Sequence, residues 1–362
     1  MRENRVRRHR HWLVVFCLAA MLLSEARSPA TGLTLPGLTE LSPVNAFDAL
    51  IASFDKFPIV ALCEGQHTGK KENEFIRSLI SDPRFASKVN DVVVEVGNAL
   101  YQNVMDKYVV GEEVSQSELR QVWRNTTQAQ TLITESPVYE QLFTTVRAVN
   151  QKLPKAKRLR VLLGDPPIDW YKPDVSPMAF LADRNPHYAG IIEKEVLAKG
   201  RKALLIAGGM HFLRGKSMPG ENIVGLIEKS HPGKVFVVEF HEGFGDRTAE
   251  LESRLSAWTV PSFTPIKGTW LGEVDATLRF PKGTIMRRGA NGEFEPASPF
   301  DGRKMQDLMD GYIYLGPVAS LSLVPPPPEV EKDETYMREL ERRRKLIQED
   351  RQRQARPVIK KH

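Results

Sequence analysis

Short runs of apolar residues recur along this chain, at residues 58–62 (PIVAL), 92–94 within DVVVEVG, 159–163 (LRVLL), 203–207 (ALLIA) and 234–240 (KVFVVEF). Each is too short for a buried helix and rich in Val, Leu and Ile, which predicts strands covered on both faces, as in a parallel sheet. Residues 71–81 place Phe75, Ile76, Leu79 and Ile80 on one helical face, and residues 186–199 and 221–229 also read as helices. Residues 311–316 (GYIYLG) supply a last strand. Strands alternating with helices predict an α/β fold, a three-layer sandwich around a mostly parallel central sheet.

The pattern also marks the boundaries. Residues 27–45 are rich in Ser, Thr, Pro and Gly and read as an irregular lead-in, with the α/β domain over residues 46–324. Residues 99–151 are too long for a simple crossover and predict a helical insertion, a cap over the carboxyl edge of the sheet. Residues 258–300, turn-rich and carrying Trp258 and Trp270, read as a long ordered loop. Four prolines at residues 325–328 form a stiff linker into a charged tail, residues 329–362. Glu339/Arg343 and Glu341/Lys345 are spaced for i,i+4 pairs, while Met337, Leu340 and Ile347 make no continuous stripe. The expected tail is a solvated helix or a disordered segment, with docking of a partner as the alternative.

Composition changes this picture mainly at the ends. Arg2, Arg5, Arg7, Arg8 and Arg10 precede an apolar run at residues 13–23 and a Ser24-Glu25-Ala26 site, so residues 1–26 read as a secretory signal peptide. That run is short of the ~20 residues needed to span a bilayer, and no later segment is apolar for long enough. The expectation is an exported protein, periplasmic or extracellular, with no transmembrane segment after cleavage. Removing residue 17 with the leader leaves Cys63 alone, so no intramolecular disulfide can form. The net charge of +6 arises at the two ends, which leaves the body close to neutral, without the basic stripe of a nucleic-acid binder. A small-molecule or peptide substrate is the expected partner.

Polar groups stand just beyond several of the apolar runs. Cys63-Glu64-Gly65-Gln66-His67 follows the first, Glu95 the second, Asp165 the third, and Gly208-Gly209-Met210-His211 the fourth. In an open α/β sheet the ligand crevice lies beyond the carboxyl ends of the strands, so these side chains can share one pocket. A carboxylate beside an imidazole, as in Glu64 and His67, holds one tautomer and raises basicity, or ligates a metal. Glu95 requires a cation, donors or a raised pKa where it leaves a buried strand. Glycines 208 and 209 let the backbone turn tightly where a ligand approaches. Asn98, Asp165, Asp169 and Trp170 are candidate substrate-binding residues, and Arg77 and Arg147 candidate partners for an anion or oxyanion. Cys63 reads as a small buried apolar residue. No Gly-x-Ser-x-Gly elbow, phosphate loop, dinucleotide fingerprint or His-Glu-x-x-His motif is present.

These residues resemble the erythromycin esterase, ChaN and Tiki superfamily. Glu64-Gly65-Gln66-His67 is similar to its Glu-x-x-His segment after the first strand, Glu74-Phe75-Ile76-Arg77 to its helix start, Glu95 to its second-strand glutamate and His211 to its later strand-end histidine. Cys63 stands where those proteins usually carry Gly, and Arg77 is one residue out of register. The resemblance covers roughly residues 55–240 and implies one of three activities: lactone hydrolysis by a His-activated water, metal-dependent proteolysis, or haem or iron binding. The cofactor therefore stays open between none, a divalent transition metal and haem. The leading expectation is a hydrolase of an ester, lactone or amide in which His67, oriented by Glu64, activates water. His211 acts as second base or proton donor, Glu95 positions the water or a cationic partner, and Arg77 stabilises the oxyanion. In the metal variant Glu64, His67, Glu95 and His211 are the ligands.

Overall fold

A computed structural model of the chain describes residues 39–128, 130–215, 220–279, 286–288, 294–296, 300 and 302–355. The signal-like residues 1–26 lie outside them. Among the described residues, no helix is long and apolar enough to cross a membrane.

The apolar runs are strands: β1 Val44–Asn45, β2 Ile59–Glu64, β3 Asp91–Asn98, β4 Arg160–Asp165, β5 Ala203–Gly208, β6 Val235–Phe240, β7 Ser262–Pro265, β8 Met286–Arg288, β9 Phe294–Pro296 and β10 Gly311–Tyr314. All but β8 and β9 join one sheet in the order β1-β7-β10-β6-β2-β5-β3-β4. Every pair from β10 to β4 is parallel, and β7 and β1 add antiparallel strands on the far side. β8 and β9 form a separate antiparallel pair. β7 corrects the expectation of a loop over residues 258–300. The run Ser262–Pro265 pairs with Gly311–Tyr314 along its whole length, and with β1 through Phe263 and Ser262.

Successive strand residues point to opposite faces, and the two cores follow that alternation. Val60, Leu62, Val92, Val94, Leu204 and Ile206 pack under helices α1 (Ala46–Ser53), α2 (Lys70–Ser81), α3 (Gln102–Val110), α4 (Gln116–Arg124) and α5 (Pro137–Gln151). Ile59, Ala61, Val93, Leu205 and Ala207 pack under α6 (Pro177–Ile191), α7 (Ile223–Ser230) and α8 (Thr248–Leu255). The three layers therefore form as the pattern predicts, and residues 99–151 supply α3 to α5, which cover one face of the sheet. Helix α6 starts nine residues ahead of Pro186, which lies within it instead of opening it.

β4 is the last strand of the sheet, and two carboxamides occupy its outer edge. Asn150 accepts from Leu159 N and donates to Leu159 O, at 2.7 and 2.8 Å. Gln102 donates to Val161 O and accepts from Leu163 N, at 2.8 and 2.9 Å. Each side chain takes the place of a peptide unit of a missing neighbour.

The tail departs most from expectation. Helix α9 (Glu334–Ala355) packs back on the domain, burying Tyr336, Leu340, Arg343, Ile347 and Asp350. Those positions recur at alternating intervals of four and three residues, a continuous helical stripe in which two of five members are charged. Ile347 joins Ile168, Trp170 and Val175 in a small third core.

Candidate functional site

The site is built where β3 stops pairing with β5. Their last pair is Val94 with Ile206, after which the β3–β4 register shifts. At that point the Glu95 carboxylate replaces main chain, its Oε2 accepting the Gly208 N–H at 2.8 Å. The same carboxylate gathers the other groups. His67 Nδ1 lies 3.9 Å from Glu95 Oε2 and 3.3 Å from Glu64 Oε2. His211 Nε2 is 3.2 Å from Glu95 Oε1, which also accepts from Gln128 Nε2 at 2.6 Å and from Arg184. Glu64, His67, Glu95 and His211 therefore converge from three strand ends.

The glycines of these turns are required by close approach. A Cβ at residue 208 would stand 2.9 Å from His67 Cε1. At residue 65 it would stand 1.4 Å from Oε1 of Glu242, whose carboxyl lies against the turn that carries His67. Glu72, in the first turn of α2, is also buried beside this turn, and burial, with Glu242 and Glu64 nearby, holds its carboxyl well above the usual range.

Burial and charge set the protonation of these groups. Burial disfavours the His67 imidazolium, but Glu95 and Glu64 overcome it and raise His67 to about 9. Burial raises Glu64. It works the same way on Glu95, where His211, His67 and Arg184 prevail and hold the carboxyl well below the usual range. Burial brings Asp165 to about 7 against the opposing pull of Arg184 and Thr127. It also lifts Glu242 to about 7. The Cys63 thiol, wholly buried, is pushed up to about 12, which suits an inert packing residue.

His211 is fixed from both sides. Asn185 Nδ2 donates to Glu221 O at 3.0 Å, which turns Oδ1 toward His211 Nδ1 at 2.5 Å. Nδ1 is then the donor nitrogen, and Nε2 faces Glu95.

The remaining candidates fall into two groups. Asp165 reaches the site: it accepts Thr127 N and Oγ1 at 2.7 and 2.5 Å, and Arg184 Nε lies 3.7 Å away. The others, Arg77 excepted, hold backbone. Asn98 Nδ2 donates to Asn125 O and Ile168 O. Asp169 accepts Tyr171 N in its own turn, and Trp170, buried, donates Nε1 to Asn125 O and Thr126 O. Arg147 donates to the carbonyls of Tyr108, Gly111 and Glu112 where α3 ends. Arg77 lines a groove against α5 with Pro137, Glu140 and Gln141. The guanidinium at Glu95 is Arg184 of α6, which sequence reasoning passed over, as it did Gln128 and Glu242.

A metal does not fit this arrangement. Among the described residues, no three His, Cys, Asp or Glu side chains are placed to hold a metal ion. Arg184 and Gln128 already occupy Glu95 Oε1, so a divalent cation there would sit against a guanidinium.

No protein-family model matches the chain, and no curated protein matches it in sequence. Solved structures similar to it include a succinoglycan biosynthesis protein, with 10% identity over 76% of this chain and 94% of that one and a TM-score of 0.48. An erythromycin esterase EreC mutant in its open conformation gives 11% identity over 74% and 92%, with a TM-score of 0.45. The haem-bound ChaN of Campylobacter jejuni gives 16% identity over 55% and 87%, with a TM-score of 0.34.

Proposed function

We propose that the chain is a hydrolase of an ester, lactone or amide that works by acid–base catalysis around Glu95. The observation that carries this reading is one ionised carboxylate in reach of two imidazoles, His67 and His211. Their roles are the reverse of those expected from sequence. His67, held as imidazolium at neutral pH by Glu64 and Glu95, is the acid. His211, its Nδ1–H committed to Asn185, offers Nε2 as the base, with Glu95 beside it to stabilise the cation that forms.

In the proposed reaction His211 Nε2 takes a proton from water, and the oxygen attacks the acyl carbon. The bond from that carbon to the leaving oxygen or nitrogen then breaks, and the leaving atom takes the His67 proton. Arg184 and Gln128 keep Glu95 ionised and oriented. The basic, apolar and small-residue pattern of residues 1–26 supports action after export.

Panels of esters, lactones and amides assayed with the wild type, His67→Gln and His211→Ala test the reading. Each substitution is expected to lower kcat by roughly 10²–10⁴-fold, the usual contribution of a general acid or base. The wild-type rate is expected to fall as pH rises through about 9, where His67 loses its proton. Turnover that survives both substitutions, or that rises through that range, overturns the assignment.

A further inference from the structure

The loop between α4 and α5 delivers Thr127 to Asp165 and Gln128 to Glu95; it turns on its own bonds, such as Gln130 N to Gln128 O at 2.8 Å and Arg124 Nε to Glu135 at 2.9 Å, but its place against the sheet is set by partners far away in sequence. Its main chain is gripped from outside. Asn98 and Trp170 bind Asn125 O, and Trp170 also binds Thr126 O. More of the grip comes from α9. Arg343, almost wholly buried, donates Nη1 to Arg124 O and Nη2 to Asn125 Oδ1, the latter at 2.6 Å, with its guanidinium 5.2 Å over the Trp170 ring. Glu339 accepts from Arg343 Nε at 2.8 Å and so fixes the fork. Arg344 Nε donates to Gln130 O at 2.8 Å, on the far side of Gln128. Arg342 binds Trp170 O, and the Arg124 guanidinium stacks 4.1 Å from the Tyr336 ring.

We infer that the C-terminal helix is a working part of the site, in which Arg343 is the positioning residue that sets Gln128 on Glu95 and Thr127 on Asp165. Arg343 and Arg344 hold the loop at residues 124, 125 and 130, and the two side chains that enter the site lie between those anchors. An exposed charged helix has no need of a buried guanidinium with three acceptors. A helix that must locate a loop made of polar backbone does, because only a cation of that shape satisfies two carbonyl-type acceptors and a carboxylate at once. The inference rests on the Glu95-centred reading of the site, but its test does not depend on turnover.

The test is amide hydrogen exchange on the full chain, comparing wild type, Arg343→Gln, Arg343→Lys and Gln128→Ala. In Arg343→Gln the Thr127 amide, buried against Asp165, is expected to lose its protection while amides of β2 and β5 keep theirs. Arg343→Lys, which retains the charge but not the fork, is expected to recover part of that protection. Gln128→Ala is expected to leave Thr127 protected, because it removes only a side chain that the anchored loop delivers and none of the anchors. Uniform loss of protection across the sheet in both Arg343 variants would make the residue merely structural. Unchanged Thr127 protection in Arg343→Gln would also overturn the assignment. Failure of the hydrolase reading would appear separately, as absence of turnover in a wild type whose Thr127 is protected.

Discussion

At the scale of single residues, the site is organised by what cannot be larger and by what must be charged. Gly65 and Gly208 are flanked by a carboxyl and an imidazole that occupy the space of a side chain. Gly65→Ala is expected to destabilise the fold by about 1–3 kcal/mol through overpacking, and Glu242→Ala in the same chain to relieve much of that loss. Thermal melts of the single and double variants check it, and strictly additive effects would contradict the contact. The charge on His67 carries a pH signature. Its pKa in the fold, about 9, exceeds the ~6.5 of a free imidazole, so the stability it contributes is full below that lower value and is lost as pH rises through about 9. Melting temperatures measured between pH 6 and pH 10 should show a decline that His67→Gln flattens.

Elements explain how much of this was legible. Strand exits were readable because a buried strand has a two-residue period and an abrupt end, so Glu64, Glu95, Asp165 and His211 stood out as polar groups after apolar runs. Arg184 did not, because Pro186 is a strong helix-start signal and placed Arg184 in a loop ahead of the helix. In the fold Pro186 is tolerated inside α6 at the cost of one main-chain bond, and Arg184 lies on a helical face turned to the sheet. The stripe of α9 was hidden for a related reason: Arg343 and Asp350 count as solvent-facing in any apolar tally, yet both are buried with specific partners. Asp350 accepts Ser176 Oγ and Met178 N at 2.7 and 2.9 Å, and so caps α6 from another helix. Asp350→Ala is expected to cost about 0.5–2 kcal/mol, the range for losing an N-cap, while Glu349→Ala, at an exposed neighbour, should cost almost nothing. Equal effects in denaturant titrations would argue against the cap.

At the scale of the molecule, layer order and parallel pairing followed from the spacing of apolar runs, whereas loop placement and tail docking depended on contacts far apart in sequence that no local pattern encodes. The edge of β4 belongs to the same category, and its consequence reaches beyond this one chain. A bare outer strand is a template: its unpaired N–H and C=O groups can recruit the strand of another molecule and so seed fibrous growth. Asn150 and Gln102 deny that template by spending one donor and one acceptor each on the strand, at the positions where an incoming backbone would bind. Replacing both by Leu keeps their bulk and removes their hydrogen bonds. Light scattering should then report self-association of folded protein at concentrations where the wild type stays monodisperse. Two carboxamides thus act as terminators, and the sheet ends where it does because its own side chains have already filled the place of the next strand.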